Sequence, residues 1–116
     1  MRKQNPKPKA QTPAKAGAKA LDKETIIAIL RERLPELRRD YSVTYLGLFG
    51  SYVRGEQRKR SDVDLLVEFE VTPGLFRYIE LEQHLTSLVG RKVDLVMKNA
   101  LKPTIGIFIL REVEPL

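Results

Sequence analysis

The chain has 116 residues, room for one domain, and its 21 lysines and arginines against 15 acids give a net charge of +6. It contains no cysteine, which excludes disulfides, thiolate metal sites and a cysteine nucleophile, and fits a reducing cytoplasm. No apolar run approaches the roughly 20 residues that a membrane span needs, so no membrane association is expected.

The excess charge is local. Residues 1–20 carry Arg2, Lys3, Lys7, Lys9, Lys15 and Lys19 and no acid, which leaves 15 basic and 15 acidic residues for positions 21–116. This first segment is rich in Ala, Lys and Pro. Almost without large apolar side chains, it cannot bury enough surface to offset its chain entropy, and a disordered basic tail is expected. It also lacks the apolar stretch of a secretory signal. We read it as a solubilising tail, with a weak electrostatic grip on RNA, DNA or an acidic partner as the alternative.

From residue 21 the pattern is that of a folded α/β (α+β) domain, with a short mixed sheet flanked by helices. Asp22 can cap a helix beginning near Lys23, with Leu21 and Ile26 as its hydrophobic staple. Ile26, Ile27, Leu30, Leu34 and Leu37 form its apolar face, and Pro35 is expected to kink or interrupt it. Residues 43–49 read as a strand and residues 62–70 as its partner. Thr72, Pro73 and Gly74 mark a turn. Leu75, Tyr78, Ile79, Leu85, Leu88 and Val89 then recur at helical spacing until Gly90 stops the helix. His84, the only histidine, lies on this helix and is expected to be a surface or packing residue. Residues 93–97 make a third strand. In residues 105–113 the β-branched side chains argue for a strand, whereas Pro103 near the start favours a helix; we choose helix.

Within this frame one stretch carries chemistry. Gly50-Ser51 follows the apolar run of residues 46–49, and ten residues separate Ser51 from Asp62-Val63-Asp64, which opens the next apolar run. On a strand, residues two apart project to the same side, so Asp62 and Asp64 converge while Val63, Leu65 and Val67 face a core. Hard cations such as Mg²⁺ take one or two carboxylates together with substrate phosphates. Ser51 to Arg54 reads as the first turn of a helix, a place where backbone N–H groups meet anions. Gly50, lacking a Cβ, lets phosphates approach closely. The Ser51 hydroxyl can donate to a phosphate oxygen and Arg54 can add a full charge. A third carboxylate, Asp94, lies inside the apolar run Lys92-Val93-Asp94-Leu95-Val96, placed to hold a second metal or accept a proton. Order, spacing and apolar flanks together point to nucleotidyl transfer.

The same residues resemble the minimal nucleotidyltransferase (MNT) family of the DNA polymerase β superfamily, whose signature is Gly-Ser, ten residues, Asp-x-Asp. The likeness extends to Arg54-Gly55-Glu56, Ser61, the helical residues 75–88, the segment 90–96, Leu101-Lys102-Pro103 and Ile109-Leu110-Arg111-Glu112-Val113. It covers residues 22–116, leaving out the tail. It implies a nucleotidyltransferase domain over residues 21–116, with Gly50 and Ser51 on a triphosphate and Asp62, Asp64 and Asp94 holding two Mg²⁺ ions. Arg58-Lys59-Arg60 departs from the family and adds a basic rim.

Compact relatives of this type resemble the antitoxin of a two-gene pair, which transfers AMP from ATP to a tyrosine hydroxyl of a helical HEPN ribonuclease toxin. The folded part leaves little room for an acceptor-binding domain, so another chain is expected to bring the acceptor. Two readings compete with this one: transfer of a nucleotide to a small molecule, and a binding module that blocks its toxin sterically. The full set of Ser51, Asp62, Asp64 and Asp94 weighs against an idle site, since clustering unneeded acids costs stability.

Overall fold

The computed structural model describes residues 21–116; the expectations for the tail, residues 1–20, lie outside the described residues. Helix α1 spans Lys23–Tyr41 and starts as its sequence dictates, with the Thr25 N–H donating to the Asp22 carboxylate at 2.9 Å. It runs through Pro35 as one element, so the expected interruption does not occur. Pro in a helix interior costs about 3 kcal/mol, and here the fully buried Ile26 and Leu30 before it and Leu37 after it hold both halves to the core.

Strand β1 (Val43–Phe49) leads into the single turn of α2 (Ser51–Arg54), and β2 (Val63–Phe69) is followed by α3 (Leu75–Val89) and β3 (Val93–Met97). A 3₁₀ turn at Lys98–Ala100 precedes α4 (Pro103–Glu112), and a two-residue strand β4 (Glu114–Pro115), unforeseen from the sequence, completes the domain. The sheet order is β3-β2-β1-β4, antiparallel at β1/β2 and β1/β4 and parallel at β2/β3. The strand expected at residues 62–70 is thus β1's partner, one residue shorter at each end. A bulge between Val43 and Tyr45 re-phases β1, so Val43 reaches the core together with Leu46 and Leu48.

One face of the sheet, carrying Leu46, Leu48, Val63, Leu65, Val67, Val93 and Leu95, packs against Ile26, Leu30 and Leu37 of α1 and Leu81, Leu85 and Val89 of α3. Leu75 and Ile79, assigned to the apolar face from their spacing, stay exposed, and Leu81 supplies the core contact instead. His84 is the packing residue expected: it bonds Glu36 of α1 at 2.8 Å and stacks on Tyr41. Among the described residues no helix is long and apolar enough to cross a membrane.

Helix α3 also closes the open edge of β3. The Val93 N–H donates to the Thr86 hydroxyl at 3.0 Å, the Leu95 N–H donates to the Glu82 carboxylate at 2.9 Å, and the Tyr78 hydroxyl donates to the Leu95 carbonyl. Residues 78, 82 and 86 lie four apart, on one stripe of the helix. Thus a polar line beside the apolar one takes up the backbone groups that an edge strand leaves bare.

Burial separates core from surface on α3. Replacing Leu85, which has no exposure, by Ala should cost about 2–5 kcal/mol of stability. Phe76→Ala, at a side chain 86% exposed, should change it by less than about 0.5 kcal/mol. Urea unfolding of both variants measures the contrast.

Candidate active site

The sheet brings the candidate residues to one end. Phe49, the last residue of β1, pairs with Asp64, and Asp64 pairs with Asp94 across the parallel β2/β3 ladder. Side chains at paired positions share a face, so Asp64 and Asp94 stand side by side, opposite the helix-covered core. Asp62 lies two residues ahead of Asp64, just outside β2, and is exposed like Asp94, whereas Asp64 is half-buried. The approach to Asp62 is fixed by a turn in which the Arg58 N–H donates to the Ser61 hydroxyl at 2.7 Å and the Ser61 N–H returns to the Arg58 carbonyl at 3.1 Å. Arg58, Lys59 and Arg60 are exposed on that turn.

Gly50 meets this cluster directly. Its backbone has φ 83° and ψ −153°, a combination open in practice only to glycine, and a Cβ there would lie 2.1 Å from Asp64 Oδ2. Glycine is therefore required by the neighbouring carboxylate as well as by the turn. The one-turn length of α2 changes the expected physics, because so short a helix has little macrodipole to offer an anion. Anion affinity at this turn has to come from individual donors, such as the Ser51 hydroxyl. Arg54, assigned to phosphate from the sequence, is engaged with Glu56 through Nε at 2.9 Å and with Glu112 through Nη1 at 3.0 Å.

Glu112 is the residue that sequence reasoning missed. It accepts the Gly50 N–H at 2.7 Å from 62 residues away, and its only trace in the sequence was membership of the Ile109–Val113 stretch of the resemblance.

Burial, then the charges of Asp94 and Asp62, push the Asp64 carboxyl up to about 6; Arg54 offsets part of this and Glu112 adds to it. Among the described residues, no three acidic or histidine side chains are already drawn together as a metal cage. The donor set nonetheless suits a hard divalent cation, because mutual repulsion of carboxylates is what such an ion relieves.

A glycine turn packed on a carboxylate-bearing strand, with a second acid in register on the next strand, defines a nucleotidyltransferase-type domain. The chain belongs to the nucleotidyltransferase domain family, which matches residues 27–114. The protein adenylyltransferase MntA of Thermococcus cleftensis is 52% identical over 90 residues, covering 78% of this chain and 91% of that protein. Among solved structures, a minimal nucleotidyltransferase superposes with a TM-score of 0.69 at 38% identity, covering 83% of this chain and 97% of that one. A chain from the complex of the tri-AMPylated Shewanella oneidensis HEPN toxin with the MNT antitoxin gives a TM-score of 0.52 at 25% identity, covering 79% and 66%.

Two variants probe the junction. A carboxyl whose folded pKa is raised above its unfolded value of about 3.9 contributes most to stability below that value and loses the contribution as pH rises through about 6. Metal-free Asp64→Asn should therefore melt higher than wild type above pH 6 and show no advantage near pH 4, as followed by circular dichroism. Gly50→Ala should destabilise by about 2 kcal/mol or more, the sum of a glycine-only backbone and a steric clash, measured by urea unfolding.

Proposed function

We propose that this protein transfers AMP from ATP to a tyrosine hydroxyl of a partner protein, as the antitoxin of a HEPN-type toxin. The observation that carries this reading is the contact of Gly50 with Asp64, beside Asp94 in register, which would let turn and carboxylates act on one substrate. Support for the acceptor comes from the 52% identity to a protein adenylyltransferase and from the likeness to the complex containing an AMPylated HEPN toxin.

In this reading Asp62, Asp64 and Asp94 would hold two Mg²⁺ ions. When bound, the cations neutralise triphosphate charge and polarise the α-phosphoryl group. Gly50 leaves space for the triphosphate and the Ser51 hydroxyl donates to a phosphate oxygen. Arg54 adds charge that Glu56 and Glu112 partly offset. The acceptor oxygen forms a bond to the α-phosphorus as the bond to the bridging oxygen of the β-phosphate breaks, and pyrophosphate leaves. Asp94 lies at the exposed edge, where it can align the incoming hydroxyl and take its proton. The nucleotidyltransferase unit in this reading is residues 21–116, and a cytoplasmic setting would supply the ATP it uses.

Incubation with ATP, Mg²⁺ and the cognate HEPN protein should add the mass of one or more adenylyl groups to that protein, read by intact-mass spectrometry. Asp64→Asn should slow the transfer by about a hundredfold or more, because charge stabilisation in the transition state is lost. If the Asp62→Ala/Asp64→Ala double variant protects cells as well as wild type and the partner gains no mass, the steric reading replaces this one.

A further inference from the structure

Helix α2 has four residues. One turn fixes more dihedral angles than its hydrogen bonds repay, so it does not hold its shape alone. Its internal bonds run from the Val53 and Arg54 N–H groups to the Gly50 carbonyl at 3.1 and 3.2 Å, and Gly50 itself needs support in its glycine-only conformation. That support comes from the last residue of α4. One carboxylate oxygen of Glu112 accepts the Gly50 N–H at 2.7 Å, and the two oxygens accept Arg54 Nη1 at 3.0 and 3.1 Å. Gly50 caps α2 and Arg54 ends it, so a single side chain spans the turn from end to end.

The anchor behind Glu112 is firm. The next residue, Val113, fills the space over Gly47, where a Cβ would lie 2.6 Å from its Cγ2. Glu114 pairs with Leu48 and bonds the Lys23 ammonium at 2.9 Å, and the Leu116 N–H donates to the Leu46 carbonyl at 2.8 Å. An exposed ion pair alone would contribute little. Glu112 differs: its side chain is 24% exposed, and it satisfies a backbone N–H of a buried glycine that would otherwise go unpaired.

We propose that Glu112 is a positioning residue for nucleotide binding: it clamps the Gly50-Ser51 turn and Arg54 in the conformation that receives the triphosphate. The proposal rests on the nucleotide-binding reading of that turn. Glu112 keeps the Gly50 N–H throughout, while the phosphates use the space above Gly50, the Ser51 hydroxyl and the face of Arg54 that Glu112 leaves open.

Calorimetric titration of ATP with Mg²⁺ into full-length variants, below the unfolding temperature of each, tests it. Glu112→Ala loses both bonds and should weaken ATP binding by about tenfold or more. Glu112→Asp keeps the charge but loses the reach, and should weaken it similarly. Glu112→Gln still offers an oxygen to the Gly50 N–H and should stay within about threefold of wild type. Asp and Gln variants carry the test if the Ala variant does not fold. Unchanged affinity in the Asp variant with only a lower melting temperature would reduce Glu112 to a structural brace. Tighter binding in the Ala or Gln variant would make it a competing anion, and either result overturns the proposal. Wild type that binds no ATP would remove the nucleotide reading and this inference together, whereas normal wild-type binding with unaltered variants removes this inference alone.

Discussion

The contact between Gly50 and the Asp64 carboxylate is the constraint around which the domain is arranged. It requires β1 to end beside the start of β2, which the antiparallel register from Gly47 against Leu66 to Phe49 against Asp64 provides. That register is held by the other face, where Leu46, Leu48, Leu65 and Val67 are buried under α1 and α3. A slip of one residue would turn the apolar set to the wrong side. Hydrophobic burial on one face thus fixes, to within a side chain, the placement of a charged junction on the other.

That junction is held against its own electrostatics. Asp62, Asp64 and Asp94 lie at one end of the sheet, and burial together with the charges of the other two raises the Asp64 pKa. Each is borne by a different part of the fold: Asp64 by a central strand, Asp94 by the strand beside it, and Asp62 by a turn that Ser61 closes. Because the strands are fixed by the core, the backbones that carry Asp64 and Asp94 cannot move apart. Preorganised charge of this kind suits a site that stabilises a highly charged transition state.

Much of this was legible in the sequence because it is written in short-range patterns. The Asp22 cap, the period-two alternation around Asp64, the helical spacing on α3 and the Gly90 stop each depend on neighbours a few residues away. The Gly-Ser and Asp-x-Asp pairs likewise stood out by local spacing, and the fold brings Gly50 and Asp64 together. What escaped depends on distance along the chain. Glu112 reads locally as a surface acid near a helix end, and only the path of α4 brings it to Gly50. Continuous helix through Pro35 reflects tertiary anchoring of both halves, which no local rule contains. The exposed Leu75 and Ile79 fit the helical period equally well, and spacing alone does not tell which apolar side chains on a helix the neighbouring elements cover. The need for glycine at position 50 was anticipated for phosphate approach; the reason visible in the fold is the Asp64 oxygen behind it.

The polar stripe of Tyr78, Glu82 and Thr86 has a consequence for how other molecules can meet this one. Those side chains occupy backbone groups along β3, and the opposite edge is a two-residue strand ending in Pro115. Along β3 an incoming extended segment therefore meets backbone groups of Val93 and Leu95 that are already taken. On that side of the domain a protein is recognised through side chains on helices and loops, where shape and charge are read residue by residue, and not by main-chain zippering, which is largely indifferent to sequence.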